Sequence, residues 1–122
     1  MNEHKKNIVR EKSFAFAVLI VELCKMLSED KREYVISKQL LKSGTSVGAN
    51  VREADNAESK PDFIHKMGIA QKEADETMFW LELLVATKYI PESQFLNLSE
   101  KCSELIKIIR SIILTAKENI KR

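Results

Sequence analysis

Ser59-Lys60-Pro61-Asp62-Phe63 opens the stretch that decides the fold. Pro61 suits the first turn of a helix, where its missing N–H would have no partner anyway. Asp62 places negative charge where the helix dipole favours it. Phe63, Met67, Ala70, Ala74, Thr77, Leu81 and Leu84 then follow at alternating spacings of four and three. That period puts all seven on one face of a helix running to about Lys88.

The same pattern continues in both directions. Upstream, Ile36, Leu40, Ser43, Val47, Asn50, Ala54 and Ala57 predict a helix over Tyr34 to Glu58. Downstream, Pro91-Glu92 repeats the start signal, and Leu98, Cys102, Leu105, Ile109, Ile112 and Ala116 carry a fourth helix. The first helix is expected from about Ile8 to Glu29, after a basic arm over residues 1–7 and before a charged loop. Short connections force antiparallel neighbours, so the expected fold is all-α, an antiparallel up-down-up-down four-helix bundle.

Composition agrees. The 122 residues make one domain, 1–122. Only 3 Gly and 2 Pro are present, too few for the frequent turns of an all-β chain. The longest apolar run, Phe14 to Val21, is too short to span a bilayer, which needs about 20 residues. Glu22 and Lys25 interrupt it before any small-residue cleavage site, which argues against a secretion signal. Cys24 and Cys102 sit far apart on apolar faces and read as buried free thiols, which fits a cytoplasmic setting.

The first helix carries more apolar surface than a lone bundle needs. Phe14, Val18 and Val21 point away from the seam formed by Phe16, Ile20, Leu23 and Leu27. The third helix adds Ile69, Phe79, Trp80 and Leu83, and the fourth adds Ile106, Ile108 and Ile113. Contiguous apolar surface of this width marks an interaction site. Self-association through Phe14, Val18 and Val21 is the expectation; coverage by tilted helices and long Lys or Arg stems is the alternative.

Ser43-Gly44-Thr45-Ser46-Val47-Gly48-Ala49-Asn50 holds two glycines inside a helix, each costing roughly 1 kcal/mol against alanine. Close packing explains them, with Trp80 or Phe79 of the third helix as the expected occupant. A phosphate-binding loop is excluded, since the Gly-x4-Gly-Lys-Ser/Thr pattern and a preceding strand are both missing. Asn50, Glu53, Glu73 and Glu76 are expected to share a hydrogen-bond network that fixes helix register.

Catalytic and metal readings fare poorly. A di-metal bundle wants two Glu-x-x-His pairs, and the chain has only His4 and His65. Neither cysteine has a suggestive histidine base, and no elbow supports a serine nucleophile. Helical ribonucleases of the HEPN type carry Arg before His, whereas the spacing here offers only Lys60 and His65. No enzyme activity, cofactor or metal is expected. Basic residues gather at the two ends: Lys5, Lys6, Arg10 and Lys12, then Lys117, Lys121 and Arg122. In an antiparallel bundle these ends adjoin. They are either ordinary solvated charge or a surface for RNA or DNA backbone, without base readout.

Four segments together resemble a known family: Lys12-Ser13-Phe14, Ser37 to Glu53, Ala57 to Phe63, and Ile69 to Leu81. They are similar to the small proteins encoded within intervening sequences of bacterial 23S ribosomal RNA genes, also labelled the S23 ribosomal protein family. The likeness spans about Asn7 to Leu84, and the fourth helix matches in pattern only. It implies a bundle assembled as a ring-shaped homopentamer, and it implies no catalytic activity. Its motif positions fall on Gly44, Ser46, Gly48, Asn50, Glu53, Glu73, Glu76 and Trp80. A relative of the same fold, the accessory protein of diversity-generating retroelements, associates with reverse transcriptase and nucleic acid. That relative is markedly basic, whereas this chain carries +2. The expected role is therefore an oligomeric scaffold or accessory factor for RNA or a nucleic-acid-handling partner. A pure protein-interaction module is the alternative.

Overall fold

The computed structural model describes residues 3–121. It contains α1 (Glu3–Glu29), α2 (Val35–Asp55), α3 (Lys60–Ala86) and α4 (Glu92–Lys121), and no strand among the described residues. Each helix packs on its sequence neighbours, and α4 closes back onto α1. The diagonal pairs, α1 with α3 and α2 with α4, do not approach one another. This is the expected antiparallel bundle, with the α1–α4 seam the thinnest of the four.

Local chemistry sets the ends. Glu33 caps α2 from one residue outside it: its carboxylate accepts the backbone N–H groups of Val35, Ile36 and Ser37 at 3.2, 3.1 and 2.8 Å. Those donors have no partner within the helix. Ser59 is extended and its hydroxyl accepts from the Asp62 N–H at 3.2 Å, so α3 starts where Pro61 predicts. At the far end of α3, Lys88 turns left-handed with φ 66°, and the Tyr89 N–H reaches back to the Leu84 carbonyl. A lysine thus takes the position that glycine usually holds in this stop.

Three boundaries differ from expectation. Residues 3–7 are helix rather than a free arm. Glu3, His4, Lys5 and Lys6 include no helix breaker, and the turn is docked: the Lys6 ammonium sits 4.9 Å from the centre of the Phe63 ring, and Lys5 hydrogen-bonds Ser111. α2 stops at Asp55 instead of Glu58 because the chain must reach the extended Ser59, and short bonds from Asn56 and Ala57 to Glu53 and Ala54 close it. α3 stops at Ala86 instead of Lys88, since Lys88 itself makes the turn.

The core follows the alternating faces. Phe16, Ile20 and Leu27 of α1 meet Leu40 and Val47 of α2, Met67, Leu81 and Leu84 of α3, and Leu105, Ile109 and Ile112 of α4, all fully buried. Ile36, Asn50, Ala57 and Phe63, expected on the inner faces, are only half-buried, because they lie near helix ends or at the rim of a seam.

The glycine pair corrects one expectation. Its neighbour is α1, not Trp80 or Phe79. A Cβ on Gly44 would lie 2.8 Å from Ile20 Cγ2, and one on Gly48 would lie 3.3 Å from the Ser13 carbonyl oxygen. The α3 side of α2 is held instead by Ser43, whose hydroxyl meets that of Thr77. Close packing is thus the reason for both glycines, with an aliphatic branch and a backbone as the occupants.

Candidate interaction surface

Along the outer edge of α1 the apolar residues of the second stripe come to the surface. Phe14 is 56% exposed and Val18 44%, while Val21 is half-buried. Ser13, Thr45, Gly48 and Ala49 help to line a groove of about 320 Å³ between α1 and α2. Gly48 creates that groove twice over: it draws α2 close to α1, and it leaves no side chain to fill the space beside Phe14. Arg52 of α2 lays its guanidinium 5.3 Å from the centre of the Phe14 ring. This cation–π contact covers part of the ring with a planar group that water solvates weakly. The Arg52 contact is the part of the surface that sequence reading missed, since it joins two residues with no fixed spacing between them. Leu41 extends the exposed apolar line on α2.

The basic ends are largely engaged within the chain. Lys6 pairs with Glu3 at 3.7 Å, Arg10 with Asp55 at 2.7 Å, and Lys12 with Glu104 at 3.2 Å. Lys5 is bonded to Ser111. Lys117 and Lys121 are exposed, and Arg122 lies outside the described residues. The two ends do adjoin: Lys6, Lys60 and Phe63 share a recess of about 240 Å³ with Ala116 and Asn119 of α4.

The family-motif positions do not form the expected network. The Asn50 amide donates to the Ser46 carbonyl at 2.8 Å, Ser46 donates to the Lys42 carbonyl, and the Trp80 indole donates to Glu76 at 3.2 Å. Each bond stays within its own helix, because a carbonyl or carboxylate one turn away is nearer than anything across the seam. Glu53 and Glu76 are exposed, so neither needs a partner across the seam. Burial, and then the neighbouring Glu76 charge, push the Glu73 carboxyl above its ordinary value, against the pull of Lys42 and Lys72.

Cys24 and Cys102 are both free and buried. Cys24 donates to the Ser37 carbonyl and Cys102 to the Ala74 carbonyl. Burial raises both thiols, Cys102 to about 12. His4 and His65 are exposed on different helices, and no group of three His, Cys, Asp or Glu side chains among the described residues is placed to hold a metal. No helix among them is long and apolar enough to cross a membrane.

No curated protein matches the chain. A solved protein of unknown function from the S23 ribosomal protein family of Bacteroides thetaiotaomicron superposes with a TM-score of 0.89. It is 51% identical over 89% of this chain and 97% of its own. Residues 5–111 match the family described as 23S rRNA-intervening sequence protein, a span that takes in α2 and α3, nearly all of α1 and the first two thirds of α4. The chain belongs to the 23S rRNA-intervening sequence protein family.

Proposed function

We propose that this protein is a non-enzymatic helical scaffold of the cytoplasm that works by self-association, with the α1–α2 face as its contact surface. One observation carries the reading: Phe14 and Val18 stand exposed beside an open groove between α1 and α2. Burying each such side chain contributes very roughly 1.5–3 kcal/mol, enough for a few to hold subunits together. The family resemblance makes a ring of five the expected assembly. Surface ion pairs at Lys6, Arg10 and Lys12 favour a protein partner over a polyanion, since much of the local positive charge is already opposed.

A second reading keeps some support. Lys117 and Lys121 remain exposed at the end that also holds Lys5 and Lys6, and a ring would repeat that end in every subunit. RNA, DNA or a nucleic-acid-handling protein would then be the further partner.

Light scattering on the purified protein at micromolar concentration tests the first reading: an oligomer is expected, and a monomer overturns it. Fluorescence titration with a structured RNA at two salt concentrations tests the second. Binding that weakens steeply with salt supports it, and no binding at low salt removes it.

A further inference from the structure

We propose that the outer row of α4, over its C-terminal half, binds the phosphate backbone of an RNA duplex. The proposal rests on the second functional reading and moves its surface from the two adjoining ends to one face of one helix. Lys107, Arg110, Leu114, Lys117 and Lys121 follow one another at spacings of three, four, three and four, so they form one row along α4. A helix rises so that this row is about 21 Å long. It lies opposite the buried Leu105, Ile109, Ile112 and Ala116, and all five of its residues are exposed. α4 is diagonal to α2, so the row is not part of the α1–α2 face.

Three observations converge on it. Lys6, Arg10 and Lys12 are each opposed by a carboxylate, whereas none of Lys107, Arg110, Lys117 and Lys121 is in an ion pair among the described residues. Charge is also polarised along the helix. From Lys107 to Lys121, α4 carries four cations and one carboxylate, Glu118. From Glu92 to Glu104 it carries three carboxylates and one cation. Complementing the helix dipole explains a basic residue in the last turn, so it accounts for Lys121 and not for Lys107 or Arg110. The flanking helices supply the third observation. Cys102 bonds to the Ala74 carbonyl and α3 runs antiparallel to α4, so this half of α4 packs beside the first half of α3. From Lys60 to Lys72 that stretch carries three lysines and one carboxylate, Asp62, which accepts the Glu58 N–H. On the other flank Lys5 reaches Ser111, and from Glu3 to Lys12 α1 carries four cations and two carboxylates.

The chemistry of the row selects the partner. Its three ammoniums and one guanidinium suit phosphate oxygens, and no amide side chain stands in the row to read a base edge. Single strands are gripped by stacking on aromatic rings, and the row has none, so a duplex fits better. The major groove of duplex RNA is deep and narrow, flanked by phosphates and closed to side chains that would read its bases. A straight row of cations with no base reader matches such a groove. A membrane surface fits less well, because an interfacial helix needs a broad apolar face and Leu114 is the one apolar side chain in the row.

The test titrates the full chain into a fluorescently labelled RNA duplex of mixed sequence at several salt concentrations. Binding that weakens steeply with salt is expected. Arg110→Gln with Lys117→Gln, checked for folding by circular dichroism, is expected to make the slope of log K against log salt shallower by about one for each cation removed. Lys31→Gln with Lys38→Gln removes the same charge at the other end of the bundle and is expected to leave that slope unchanged. Equal losses in the two variants overturn the proposal, since net charge alone then accounts for binding. If the first variant keeps the parent slope, RNA binding stands and this surface falls. Single-stranded RNA or duplex DNA bound as tightly as duplex RNA overturns the choice of partner, as does binding to anionic lipid vesicles in its place. If the unsubstituted protein binds no RNA at low salt, the second functional reading has failed first and the proposal falls with it.

Discussion

The hydroxyls of Thr77 and Ser43 lie 3.0 Å apart, fully buried, and they join α3 to α2 at the middle of the bundle. Thr77 also lies 2.8 Å from the Glu73 carbonyl, and Ser43 has only a long alternative, the Leu40 carbonyl at 3.4 Å. Replacing one hydroxyl leaves the other poorly satisfied in a dry seam. Thr77→Val is expected to cost about 1–2 kcal/mol in urea unfolding. Thr77→Val with Ser43→Ala is expected to cost less than the two changes summed, with a coupling of about 1 kcal/mol in a double-mutant cycle.

Two glycines are expected to respond with opposite sign to the same substitution. Gly44→Ala drives a methyl to within 2.9 Å of two Ile20 carbons, and a β-branched side chain pinned in the core has little room to yield. Overpacking of this kind costs about 1–3 kcal/mol, more than the gain in helix propensity. Gly68→Ala meets open space and is expected to add up to about 1 kcal/mol. Urea melts in the Phe14→Asp background read both effects on the isolated subunit.

Glu33 is expected to behave as a capping residue although it sits outside α2. Glu33→Ala removes the acceptor for three backbone N–H groups at once. The expected loss is about 1 kcal/mol, with earlier exchange of the Val35, Ile36 and Ser37 amide hydrogens.

The Glu73 carboxyl titrates above its ordinary value in the folded chain, so the folded state binds its proton more readily than the unfolded one. Stability therefore falls as pH rises from the unfolded value through the folded one. Glu73→Gln is expected to raise Tm at pH 7 and to have no such advantage at pH 3, where both forms are uncharged. Thermal melts at the two values check it.

Both thiols should resist alkylation in the native protein. Cys24 and Cys102 are buried, and their raised titration leaves little thiolate at pH 8. Iodoacetamide is expected to modify neither until denaturant is added, as read by intact mass.

The fold was legible because its signals are local and repeated. Pro61 and Pro91 mark two starts, and the alternation along α3 and α4 identifies every buried position there, with Phe63 the one named residue that is only half-buried. Polar caps could be read less well: Glu33 acts from outside its helix, and Lys88 stands where glycine would have been the signal. The second apolar stripe of α1 was also legible, since Phe14 and Val18 lie off the core period. What could not be read was the choice of neighbour. Gly44 and Gly48 announce a close approach, but whether α1 or α3 makes it depends on how α2 is rotated about its own axis. Likewise, Asn50 sits on the inner period yet bonds within α2, because a rotation of a few tens of degrees carries it to the rim.

The thin seam between α1 and α4 has a kinetic consequence. These helices lie farthest apart along the chain, and Lys12 finds Glu104 only after 92 residues have been drawn together. Such a long loop closes at an entropic disadvantage, with few contacts to reward it. The α2–α3 hairpin should therefore gather first, and the outer rods should latch onto it last and part from it soonest on unfolding.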